Sequence, residues 1–218
     1  MNLSFLLCLL LSFVVLSIGV VTVHAFQVKR NAEIFKRQAK LAVENKRYAE
    51  AAMYYGRYLN YVPADADARV QWAQALEKKT VKSKRDYEKA IELYGQVLHG
   101  DGDNRQIRRR LVQLCMMLRH FNDAQEHLKV LLDNSTGENG ELEQWSALCY
   151  AETKNFPKAK QYYDRAIKHA PSHIASYPQL ATILDDEGEH KKADEVMKQL
   201  VQRNEPNYEA HLFRARFL

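Results

Sequence analysis

Residues 48–63, YAEAAMYYGRYLNYVP, decide the fold. Tyr48, Ala51, Ala52, Tyr55 and Leu59 sit at offsets that a helix of 3.6 residues per turn gathers onto one face, and Pro63 stops it. The pattern returns. Tyr87, Ala90, Tyr94, Val97 and Leu98 form a second copy, and Phe121, Ala124, Leu128, Leu131 and Leu132 a third. A fourth copy has Phe156, Ala159, Tyr163, Ala166, Ile167 and Pro171, and a degenerate fifth has His190, Ala193, Met197, Leu200, Val201 and Pro206. With the alanine as a ruler, the spacings are 39, 34, 35 and 34 residues.

Each copy has a partner helix upstream, with a small residue where two axes would cross. These are Trp72, Ala73 and Leu76; Leu111, Val112 and Cys115; Ala147 and Tyr150; and Tyr177, Leu180, Ala181 and Leu184. Five registers of this kind, with this period, resemble the tetratricopeptide repeat (TPR), a helix-turn-helix unit of about 34 residues. The resemblance covers residue 32 to the C-terminus and implies an all-α solenoid of about five and a half hairpins. The expected repeats are 32–65, 66–104, 105–139, 140–173, 174–207 and a partial 208–218. Three departures stand out: Tyr58 where the family has alanine, a five-residue insertion at 80–84, and second and third units without the closing proline.

Residues 3–23 contain no charge and no proline. Their length matches a hydrocarbon core of about 30 Å, so residues 1–27 are predicted to be a transmembrane anchor or, if cleaved after Ala25, a signal peptide. The anchor is favoured because the apolar run is long and no lysine or arginine precedes it. With no proline, glycine or serine-rich spacer at 23–45, it runs directly into the first repeat. Lys29, Arg30, Lys36, Arg37, Lys40, Lys46 and Arg47 follow the apolar run, and the positive-inside rule then places the repeats on the cytoplasmic side. The opposite orientation follows if a basic segment precedes the methionine.

The net charge of +5 is modest, and three cysteines form no disulfide framework; Cys115 and Cys149 fall at core positions. The lysine-rich insertion lacks the interleaved aromatics of a nucleic-acid site, so no nucleic acid is expected. Asp101, Gly102, Asp103 and Asn104 echo a calcium loop, but Arg105 replaces the third ligand, which leaves Asp103 as a helix cap. Asp65 or Asp67 is expected to cap the helix that follows Pro63, the first of the second repeat. Asn134, Ser135 and Thr136 form a glycosylation sequon. His169 and His173 have metal-pair spacing, yet Pro171 ends the helix between them. No phosphate-binding glycine loop, nucleophile elbow or zinc-spaced cysteine pair is present, so neither enzyme activity, metal nor cofactor is expected.

The family resemblance implies a concave face lined by the first helix of each repeat, where an extended peptide or partner helix binds. Carried over by register, its residues here are Lys36, Lys40, Gln71, Gln74, Arg109, Arg110 and Gln113, followed by the neutral to acidic Gln144, Leu148, Thr182 and Asp185. One subgroup of the family clamps the C-terminal carboxylate of chaperone tails; Lys36 and Arg110 match it by type, whereas Lys40, Gln71 and Gln106 do not. Tyr54 and Tyr61 are the tyrosines of the first repeat left for recognition. The expectation is therefore a membrane-anchored scaffold for protein or peptide partners. The alternatives are an N-terminal arm of a larger enzyme or secretion machine, and a secreted binder after cleavage. Residues 207–218 read as the first helix of a sixth unit with no second helix to cover its apolar side, including Leu212, Phe213 and Phe217; the expectation is either a truncated product or an end that docks on another chain or a second copy.

Overall fold

A computed structural model describes residues 3–134 and 139–217, with the backbone alone described at 3–12, 14, 15, 21 and 23–25. The chain divides into two units, Met1–Gly102 and Asp103–Leu218. The first comprises α1 (Leu3–Glu44), α2 (Tyr48–Tyr61), α3 (Ala66–Lys78) and α4 (Lys84–Gly100). The second comprises α5 (Arg105–Met117), α6 (Phe121–Asp133), α7 (Gly140–Glu152), α8 (Phe156–His169), α9 (Ser176–Asp186), α10 (His190–Arg203) and α11 (Tyr208–Phe217). Within each unit every helix packs chiefly on its neighbours in sequence, so each is a run of stacked hairpins.

The core follows the period of the sequence. The ruler alanines Ala51, Ala90, Ala124, Ala159 and Ala193 are all 0% exposed, as are their counterparts across the hairpins, Ala39, Ala73, Val112, Ala147 and Ala181. Small side chains on both sides of each crossing let two helix axes approach, and the large residue one turn on fills the wedge beside them. That residue is Tyr55, Tyr94, Leu128, Tyr163 or Met197, each at most 2% exposed. Cys115 and Cys149 are buried in the second unit, where burial pushes both thiols up to about 12.

Four hairpins share one corner. Lys46, Arg119, Lys154 and Gly188 have φ of 57°, 62°, 64° and 81°. In each case the next residue's N–H reaches back five positions: Arg47 to Ala42, His120 to Cys115, Asn155 to Tyr150 and Glu189 to Leu184, at 2.7–2.8 Å. These paired bonds satisfy the last carbonyls of the first helix, as a left-handed C-terminal cap does. The α3–α4 hairpin turns differently. There residues 79–83 intervene, Ser83 and Asp86 form a reciprocal capping box at the start of α4, and Lys79 pairs with Asp86 at 2.7 Å. The insertion has thus replaced the left-handed corner by a separately capped helix start.

Asp65 caps α3 by accepting from Ala68 N at 2.9 Å. At α5 the expectation is corrected: Asn104, not Asp103, is the cap, accepting from Ile107 N at 3.1 Å. The helix starts one residue later than the aspartate could serve, because a capping oxygen must stand just before the first helical residue.

Helix α1 runs 42 residues without a break into the first hairpin. Among the described residues no helix is long and apolar enough to cross a membrane; most side chains of the expected anchor at 3–23 lie outside the described residues. The sequon's Ser135 and Thr136 also lie outside them. At the other end, α11 leans on α10 with Phe213 and Phe217 half-buried against the core and Arg214 pairing with Asp194 at 2.5 Å. Its large apolar groups are therefore partly covered within the chain; Tyr208 is the one at 75% exposure.

Candidate functional site

In the first unit, the face of α1 that follows the apolar run gathers charge. Arg30, Glu33, Ile34, Lys36, Arg37 and Lys40 line a hollow of about 530 Å³. Offsets of three, four and seven place them along one side of the helix. Four cations line it with one carboxylate, Glu33, though the Lys36 ammonium pairs with Asp65 outside the lining; Ile34, 42% exposed, supplies an apolar group among them.

Lys36 anchors this face to the rest of the hairpin. Its ammonium lies 2.7 Å from Asp65 Oδ2, the same oxygen that accepts from Tyr58 OH at 2.7 Å. Asp65 thus serves three donors, since its other oxygen caps α3. Burial pushes the Asp65 carboxyl up, but the bonds from Lys36, Tyr58 and the Ala68 amide outweigh it and bring the group down to about 2. The Lys36 ammonium is raised in turn, chiefly by its bond to Asp65. Tyr58 is explained by the same contact: a tyrosine in the family's alanine position carries its hydroxyl to the carboxylate while its ring stays buried, 3% exposed.

The other sequence-predicted residues are distributed as follows. Lys40 is exposed and lines the hollow with Lys36. Gln71 is exposed and Gln74 half-buried on α3, and neither lines it. Arg109, Arg110 and Gln113 lie together on α5 in the second unit. Arg109 pairs with Glu141 and stands 4.8 Å from the centre of the Trp145 ring, while Arg110 donates to Gln113 at 2.8 Å. Tyr54 and Tyr61 both stack on Phe35, with centroids at 6.4 and 5.9 Å. Arg30, Arg37 and Glu33 were not among the expected groove residues. Their spacing of three and four from Lys36 and Lys40 was the available signal.

A second polar cluster has a structural role. Glu143 on α7 is 1% exposed, and its carboxylate accepts from Arg165 Nε at 2.8 Å and lies 2.6 Å from His169 Nδ1. His169 is therefore engaged by a carboxylate, whereas His173 Nδ1 is buried with no hydrogen-bond partner among the described residues. Close packing sets the start of α7: a Cβ on Gly140 would run into Ala170 Cβ and lie 3.2 Å from Ala166 O.

Tetratricopeptide-repeat models match residues 83–138 and 144–173. This chain carries tetratricopeptide repeats. Among solved structures it resembles MamA at 15% identity and a TM-score of 0.65, over 80% of this chain and 92% of that one. A MamA fragment from Desulfovibrio magneticus RS-1 matches at 16% identity and a TM-score of 0.62, over 79% and 94%. Identities this low establish a shared TPR fold. No curated protein matches the sequence significantly. TPR hairpins are protein-interaction modules, and the architecture supports a protein–protein interaction scaffold.

Proposed function

We propose that this TPR protein is a non-enzymatic scaffold, held to a membrane by residues 3–23 with its repeats on the cytoplasmic side, whose α1 face collects acidic segments of protein partners. The observation that carries the reading is the α1 hollow, where Arg30, Arg37 and Lys40 stand with a single carboxylate, Glu33, beside a Lys36 ammonium already neutralised by Asp65. A cleft lined by one sign of charge raises the local concentration of oppositely charged segments and speeds their docking. Ile34 offers such a segment an apolar contact at the same place. With residues 3–23 in the bilayer, the unbroken course of α1 would keep the hollow near it.

The test is a peptide titration with the full chain in detergent micelles, followed by fluorescence anisotropy. A glutamate-rich peptide is expected to bind more tightly than a lysine-rich one, with affinity falling as salt rises, because exposed charges are screened beyond about 10 Å at 0.1 M. Replacing Arg37 and Lys40 together by glutamate is expected to weaken it by about tenfold or more. Equal affinity for the two peptides, or no response to salt, overturns the reading.

A further inference from the structure

The second unit contains a hollow that the repeat pattern itself explains. The residue just before the small crossing residue of the first helix differs in size among the repeats. Three of the five repeats place a large apolar group there: Trp72, Leu111 and Leu180, with the two leucines 1% and 2% exposed. In the fourth repeat the position is Ser146, buried at 3% with its hydroxyl turned onto Leu142 O at 2.9 Å. The volume left by the shorter side chain is open. A cavity of about 290 Å³ lies there, lined by Gln125, Lys129, Leu132 and Asp133 of α6, Ser146 and Tyr150 of α7, and Lys158 and Tyr162 of α8.

The walls are specific. Tyr150 and Tyr162 stack with centroids 5.4 Å apart, and the Lys158 ammonium lies 5.1 Å from the Tyr150 ring centre. Lys129 and Lys158 supply one cation from each flanking helix, and among the described residues neither pairs with a carboxylate. The volume is at the lower edge of small-molecule pockets, about 300–1,000 Å³, which suits one side chain rather than a cofactor. An aromatic-walled hole whose two lysines outnumber its one carboxylate, Asp133, matches an aromatic anchor flanked by carboxylates.

We propose that this hollow is a second docking site, separate from the α1 face, that takes a single aromatic side chain of an acidic peptide segment. The aromatic ring enters above Ser146 beside the tyrosine pair. The flanking carboxylates meet Lys129 and Lys158.

Two fluorescein-labelled probes test it against the full chain in micelles: Glu-Glu-Phe-Glu-Glu and its counterpart with alanine for phenylalanine. In a background carrying Arg37→Glu and Lys40→Glu, which silences the α1 face, the phenylalanine peptide is expected to bind about tenfold or more tightly than the alanine one. Ser146→Leu, the residue that two other repeats carry in register, fills the floor and is expected to abolish that preference. Lys129→Glu with Lys158→Glu, both at the surface, is expected to weaken the phenylalanine peptide by about tenfold or more. Absence of the preference overturns the proposal, as does its survival in folded Ser146→Leu protein, with folding checked by thermal melting. Should that variant fail to fold, the double lysine variant decides: unchanged affinity overturns the proposal. Weaker binding of the alanine peptide in Arg37→Glu and Lys40→Glu protein than in wild type, with the phenylalanine preference intact, separates the two sites.

Discussion

Asp65 shows how one side chain can hold several elements at once. Its carboxylate caps α3, receives the Tyr58 hydroxyl and pairs with Lys36, so α1, α2 and α3 meet on it. A carboxyl whose folded value lies below its ordinary 3.8 stabilises the fold at pH above that value, because the unfolded chain binds the proton more readily. That contribution disappears as the pH falls through about 2. Asp65→Asn, which retains the shape but not the charge, is expected to cost about 1–3 kcal/mol at neutral pH. The same variant should show a flatter dependence of thermal stability on pH between neutral and acid conditions. Equal melting temperatures for wild type and variant at pH 7 would exclude the network as a source of stability. Lys36 illustrates what residue type alone conceals: as a lysine at a groove position it reads as a binding cation, yet its ammonium is already held by Asp65. The partner is 29 positions away, and nothing in a single sequence pairs the two.

At the scale of helices and turns, the left-handed corners carry the most direct test. An L-residue with a side chain in that region is strained by roughly 1–2 kcal/mol, whereas glycine is not. The family of corners contains both cases, Lys154 and Gly188. Lys154→Gly is expected to stabilise the second unit by a few tenths to about 1 kcal/mol, the strain relief being offset in part by the greater freedom of glycine in the unfolded chain. Gly188→Ala is expected to destabilise it by about 1 kcal/mol. Chemical denaturation of the two variants reads both effects, and the same sign for both would refute the account. The hairpins themselves are legible in the sequence, because the alanine ruler and the apolar residues around it are a direct record of which atoms must touch; all five ruler positions are fully buried. The corners were not legible. Lysine and arginine at φ near 60° look like ordinary surface residues, and the strain is held by hydrogen bonds that repeat in geometry rather than in residue type. The hollow above Ser146 escaped for a related reason: a motif reveals the residues that are present, and this cavity comes from a large one that is missing.

Within each unit, contacts between helices adjacent in sequence dominate among the described residues. Stability in such an array is the sum of repeat terms and neighbour terms, so opening proceeds from the ends of a stack. In the second unit α11 is covered from one side by α10, while α7 and α8 have neighbours on both. Native-state hydrogen exchange is therefore expected to show α11 amides exchanging first and those of α7 and α8 last. Uniform protection across all seven helices would mean that the unit opens as one block. The placement of binding surfaces follows the same logic, since each repeat supplies its own short stretch of wall and one altered side chain changes a single station.

The unbroken α1 has a mechanical consequence. Forty-two residues of helix make a rod of about 63 Å, and such a rod transmits tilt and torque with little slack. Ala32, Ala39 and Ala42, all but inaccessible, rivet its rear third to the first hairpin. Whatever grips the front of the shaft therefore sets the heading of that hairpin, and with it the direction in which its charged side is aimed.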